Sequence, residues 1–197
     1  MRICKTTIPI SFEKKLVATC TIQRNNKPAS CNIYELDRNE DKDYFSKLEQ
    51  KKDWEENTYL NEANYSLEED FPREKIYCLE NKRKQCLGFA VVEKRYDEEV
   101  YDLDLLETCL PYSFRNKERT TKYVGETILS FIAKLAIKDN ISKFCVPISS
   151  TFARKFYNNC GFEKGKGLDG LVLYDFYFDK LIEQNENHTK GKIELIE

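Results

Sequence analysis

Tyr157 lies four residues after Ala153 and four before Gly161 in the stretch Thr151-Phe-Ala-Arg-Lys-Phe-Tyr-Asn-Asn-Cys-Gly-Phe162. The pattern spells a short amphipathic helix that stops at a glycine and re-enters a sheet through Phe162. Phe152, Phe156 and Cys160 form its apolar row. Tyr157 lies about 100° round the helix from Phe156, so it is not needed for the core and can serve as a proton donor. Three carboxylates upstream, Asp102, Asp104 and Glu107, are candidate bases. Strand alternation places Leu103, Leu105 and Glu107 on one side, with Asp102, Asp104 and Leu106 on the other. Glu107, nearest the loop that follows, is the first choice. Between carboxylates and tyrosine, Thr120-Thr-Lys-Tyr-Val-Gly125 opens a long helix. Unpaired N–H groups and the positive end of the helix dipole make such a start a seat for an anion such as pyrophosphate.

The elements that must position these groups follow from periodicity. Residues 16–23 and 31–36 read as strands joined by a turn from Arg24 to Pro28, and 41–54 and 55–68 as helical stretches. Lys75–Glu80 and Cys86–Lys94 make a hairpin about a charged turn, and Val100–Leu110 is a further strand. Val124, Ile128, Phe131, Ile132 and Leu135 form an apolar stripe on a helix over 122–138. Lys143–Ile148 is a short strand, 150–160 a helix capped by Ser149, Ser150 or Thr151, and Leu171–Phe178 closes the sheet. The expected organisation is one α/β domain over 1–183, with 1–30 as an N-terminal hairpin extension and 184–197 as a polar tail.

Composition narrows the function. The 197 residues carry 32 basic and 34 acidic side chains, a net charge of −2, well mixed along the chain. Nucleic-acid binding is not expected from that mixture, and Lys82-Arg83-Lys84 reads as a solvated turn. No apolar run approaches the roughly 20 residues that span a bilayer, so no membrane association is expected and the cytoplasm is the default. Eight cysteines include no C-x-x-C pair, and the one histidine is His188. Free thiols are expected, with no metal site and no His-dependent triad.

This element order, with these motifs in these places, resembles the GNAT superfamily of acyl-CoA-dependent N-acyltransferases over roughly residues 31–178. Ala153-x-x-x-Tyr157-x-x-x-Gly161-Phe162 matches the family's closing motif without departure. The pyrophosphate loop, Gln/Arg-x-x-Gly-x-Gly/Ala in the family, is matched at Gly125, while Thr120 replaces the first residue and Tyr123 the first glycine. The resemblance implies a three-layer α/β fold: a mixed, mostly antiparallel sheet splayed at its middle strands, with helices on both faces. It implies acetyl-CoA as cosubstrate and direct transfer to a primary amine in a ternary complex. Tyr157 would protonate the CoA thiolate and Glu107 would act as base. Thr108, Cys109 and Leu110 would present backbone N–H groups to the thioester. Arg119, Lys122, Tyr123, Val124, Gly125, Glu126 and Thr127 would hold the pyrophosphate, and Ser150 and Ala153 the pantetheine arm. The acidic stretch 41–72 would suit a cationic amine such as a polyamine, aminoglycoside or lysine. The oligomeric state, a dimer included, is left open. The alternative is a catalytically inactive protein of this fold that binds CoA or a partner.

Overall fold

A computed structural model describes residues 14–37, 41, 44, 74–95, 98–109, 119–147, 151–165 and 170–196. The expected helices over 41–54 and 55–68 fall outside the described residues, apart from Asp41 and Tyr44.

Strands β1 (Lys15–Arg24) and β2 (Lys27–Glu35) form a hairpin whose two-residue turn is Asn25-Asn26. Both asparagines have positive φ, 51° and 60°, as a primed hairpin turn requires. The turn is tighter than the expected Arg24–Pro28 because asparagine tolerates the left-handed region. Strands β3 (Glu74–Asn81), β4 (Cys86–Arg95) and β5 (Val100–Thr108) continue the sheet antiparallel. A two-residue strand β6 (Thr121–Lys122) leads into helix α1 (Val124–Lys138). Strand β7 (Lys143–Pro147), helix α2 (Thr151–Asn159), strand β8 (Glu163–Lys164) and strand β9 (Gly170–Tyr174) follow. Helix α3 (Phe178–Thr189) and strand β10 (Glu194–Leu195) close the chain. The sheet order is β10-β1-β2-β3-β4-β5-β7-β9-β8, with β6 on β1.

The segment expected to be a polar tail is helix and strand instead. Leu181, Ile182, Asn185 and Thr189 are buried, and α3 lies along α1. The contact is partly polar: Thr127 Oγ1 donates to Asn185 Oδ1 at 3.2 Å, and Lys134 Nζ to the Ile193 carbonyl at 2.7 Å. The expected last strand, Leu171–Phe178, ends early at Tyr174, and Asp175–Tyr177 is a single 3-10 turn.

The main core joins α1, α2 and α3 to one sheet face through Ile22, Leu103, Ile128, Phe131, Phe144, Phe162 and Leu181, among others. A smaller core on the opposite face holds Ile76, Cys78, Phe89, Val91 and Cys109, with Leu105 and Tyr44 against it. Helix α1 sits close on β4: a methyl group on Gly88 would lie 2.8 Å from the Glu107 carbonyl and 3.0 Å from Val124 Cγ1. That close approach fixes the start of α1 over the ends of β4 and β5.

Helix α2 stops as its sequence requires. The Gly161 N–H donates to the Asn158 carbonyl at 3.0 Å and the Phe162 N–H to the Tyr157 carbonyl at 3.1 Å, the two bonds of a Schellman motif. Its apolar contact is Tyr157 on Phe162, ring centroids 5.4 Å apart. The Tyr-x-x-x-Gly-Phe spacing is therefore a helix-stop geometry. Gly161 has φ +92°, and an added methyl there would meet only Leu173 at ordinary contact distance. Gly161→Ala is expected to cost about 1–2 kcal/mol through backbone strain alone. An unchanged midpoint in denaturant unfolding would contradict this.

Candidate active site

The site begins where β5 and β7 part. They pair in parallel only at Val100–Lys143, Tyr101–Phe144 and Asp102–Cys145. Beyond Asp102, β5 runs on to Thr108 paired, among the described residues, with β4 alone. The expected splay of the middle strands is present, and a local cause lies at its apex. Val91 pairs with Leu105 and Val92 with Leu103, so Asp104 is an extra, bulged residue. A bulge bends and twists its strand, here just past the last rung shared with β7.

The bulge also resets the alternation. Leu103 and Leu106 both pack against the α1 side, whereas Leu105 and Cys109 join the smaller core on the other face. Strict alternation had placed Leu103, Leu105 and Glu107 together, and the structure corrects that. After the bulge Glu107 shares the parity of Leu105 and Cys109. Backbone direction follows the same count. The Cys109 N–H donates to the Leu87 carbonyl at 3.0 Å, which removes it from the expected thioester donors. Alternate N–H groups point to opposite neighbours, so Thr108 and Leu106 direct theirs to the side that β7 has vacated. Leu110 and Ser150 lie outside the described residues.

The carboxylates differ in environment. Asp104 is exposed, yet its pKa is raised to about 7, first by loss of solvent and then by Glu74, Asp102 and Glu93. Asp102 is raised by desolvation, opposed by the Arg95 guanidinium with which it pairs. Aspartates are uncommon in strands, and Arg95 is a counter-charge to this group of like charges. Burial raises the phenol pKa of Tyr157, with smaller contributions from Cys160 and then Glu107. Tyr157 is 9% exposed and stacked edge-on between Phe156 and Phe162. The structure makes Tyr157 a core residue, contrary to the helical-wheel expectation, and sets Glu107 on the parity of the opposite sheet face.

The expected pyrophosphate loop is changed in detail. Tyr123, in place of the first glycine, adopts φ +68° and ψ 22°, the left-handed conformation a glycine takes without cost. Its ring stacks on His188 in α3, centroids 4.9 Å apart, and is thereby committed to that helix. Val124 is core, and Thr127 is turned to Asn185 of α3, with its N–H donating to the Tyr123 carbonyl at 2.9 Å. Neither side chain can serve a ligand in this state. Lys122 Nζ donates to Asn26 Oδ1 at 3.0 Å. Glu126 lies in the first turn of α1. Burial raises its pKa, and Arg119 and His188 oppose that rise. Gly125 remains the close-approach point of the turn: a methyl there would lie 3.0 Å from the Phe156 ring and 3.7 Å from Thr108 Cγ2. Ala153 packs at the edge of the main core.

Sequence reasoning missed the bulge at Asp104, because it depends on the partner strand.

No family model matches the sequence, and no curated protein matches it. Solved structures do share its fold. A GNAT-family protein from Desulfovibrio desulfuricans aligns at TM-score 0.56 and 12% identity, over 74% of this chain and 99% of that one. A GNAT-family acetyltransferase from Staphylococcus aureus Mu50 aligns at TM-score 0.53 and 18% identity, over 74% and 99%. A variant of spermidine N-acetyltransferase SpeG from Vibrio cholerae aligns at TM-score 0.51 and 11% identity, over 75% and 95%. The fold of this chain is that of the GNAT superfamily.

Proposed function

We propose that the chain is an acyl-CoA-dependent N-acyltransferase, with acetyl-CoA as donor and a primary amine as acceptor, acting by direct transfer in a ternary complex. The observation that carries this reading is the parting of β5 and β7, with the start of α1 at that end of the sheet close to Thr108 of β5 and Phe156 of α2. A thioester laid in that gap would meet the N–H groups of Leu106 and Thr108, which can polarise its carbonyl as an oxyanion hole does. Cysteines are not assigned a nucleophilic role: burial holds Cys160 and Cys20 well above the usual thiol range, and Cys145 is pushed up to about 11.

The acceptor would arrive as an ammonium, pKa near 10.4, and must lose a proton before attack. Asp104 and Glu107 are the candidate carboxylates for this. Asp104 is favoured, because a base titrating near neutrality combines a large ionised fraction with useful proton affinity. Tyr157 would face the departing thiolate. Spermidine is the acceptor of one structural neighbour, and the carboxylates Glu74, Glu93, Asp102 and Asp104 around the bulge would favour a cationic amine here as well.

Acetyl-CoA should raise the melting temperature by mass action, equivalent to about 2.7 kcal/mol at a hundredfold excess over Kd. With a panel of primary amines, including polyamines, the protein should then release free thiol from acetyl-CoA. No thermal shift at millimolar acetyl-CoA would sink the reading. A shift with no thiol release from any amine would favour the inactive CoA-binding alternative.

A further inference from the structure

A groove of about 280 Å³ opens between the β1–β2 hairpin, the β3–β4 turn and Thr121, just ahead of α1. Arg24, Lys82 and Arg83 stand on it, and no carboxylate lines it among the described residues. All three cations are exposed at the rim, while Ile22, Cys31 and Leu87 form a buried floor. The charges bear on that floor. Burial pushes the Cys31 thiol up to about 12, and Arg24 and Lys82 pull against the rise.

The three supporting segments are tied together. Asn81 Oδ1 accepts the N–H groups of Arg83 and Gln85 at 2.8 and 3.2 Å, which fixes the β3–β4 turn. The Asn25 N–H donates to the Thr120 carbonyl at 2.7 Å, joining the first hairpin to the approach to α1. Lys122 reinforces that join through Asn26. Three cations converging on one fixed concavity without a lining carboxylate favour a multiply charged anion, since bidentate guanidinium contacts suit phosphoryl oxygens.

The start of α1, by contrast, carries Tyr123, stacked on His188, in place of the glycine that would open it to an anion. Of the cations expected there, Lys122 is engaged with Asn26. Resting on the CoA-dependent reading above, we propose that this groove seats the nucleotide-end phosphates of coenzyme A, the 3′-phosphate first. Phosphate recognition in this chain is thereby moved from the departed loop to two hairpin turns.

Calorimetry with CoA, dephospho-CoA and adenosine 3′,5′-bisphosphate tests the assignment on the wild-type chain, Arg24→Ala and the double variant Lys82→Ala/Arg83→Ala. All three side chains are exposed, so the fold should survive, and circular dichroism checks that it has. The wild type should bind CoA about tenfold more tightly than dephospho-CoA, a difference of about 1.4 kcal/mol. The double variant should bind the two alike, and the bisphosphate should compete with CoA only on the wild type. Discrimination that persists in both variants would overturn the groove and leave the acyltransferase reading standing. A wild type that binds neither CoA nor dephospho-CoA would bring down that reading and the groove with it.

Discussion

Asp104→Asn should lower kcat/KM for a primary amine by about 10²- to 10³-fold at neutral pH, within the range that general-base groups contribute. The wild-type profile should rise with pH through an ionisation near 7, the value to which Asp104 is raised. In the variant that limb should disappear, leaving only the ionisation of the amine. Glu107→Gln is the necessary comparison. If it, and not Asp104→Asn, removes the limb, the base is Glu107. A loss of less than about fivefold in Asp104→Asn would exclude it as base, because a removed proton acceptor costs more than that.

Stability provides a second, independent reading of the same residue. A folded carboxyl raised to about 7 binds a proton more tightly than its unfolded counterpart near 3.8. Between those values the folded state carries more protons, so stability falls as pH rises and then levels off above 7. The asparagine variant escapes that loss. Its melting temperature should exceed the wild type's at about pH 8, and the advantage should vanish at about pH 4, below the unfolded ionisation. A variant both more stable and less active at neutral pH is the signature of a strained functional group. Equal melting temperatures at both pH values would mean that neither loss of solvent nor the charges of Glu74, Asp102 and Glu93 burden Asp104.

What could be read from the sequence divides along physical lines. Helix α1 was legible because Val124, Ile128, Phe131 and Ile132 repeat at the helical period and all reach the core. The Tyr157–Gly161–Phe162 spacing was legible because a Schellman stop fixes which residue must be glycine and which two must be apolar. The bulge was not, since whether β5 carries an extra residue is decided by its register on β4. Helix α3 was hidden for another reason. It docks partly through hydroxyl, amide and lysine contacts to Thr127, Ser130 and Lys134, so its polarity suggests solvent although much of one face is buried. Lys82-Arg83 likewise looked like an ordinary solvated turn until the first hairpin brought Arg24 beside it.

Tyr157→Phe should reduce kcat by about 10²-fold while leaving the Kd for CoA within about twofold, as expected for a group that acts on charge in the transition state. The substitution keeps the ring contacts with Phe156 and Phe162, so stability should barely change. Tyr157→Ala would cost about 3–5 kcal/mol in lost packing whatever its chemistry, and is therefore uninformative. The raised pKa of the phenol refines the role. Burial, Cys160 and Glu107 all favour the neutral form, so handing its proton outright to a thiolate, whose thiol pKa is about 8.5, is uphill. A hydrogen bond from the neutral phenol stabilises the developing thiolate without that cost. The consequence is measurable with acetyl thioesters of CoA analogues that have more acidic thiols. Their leaving groups need less stabilisation, so the ratio of wild-type to Tyr157→Phe rates should fall toward one as thiol pKa falls. A ratio independent of leaving group would remove Tyr157 from the chemical step and leave it as the aromatic half of a helix stop.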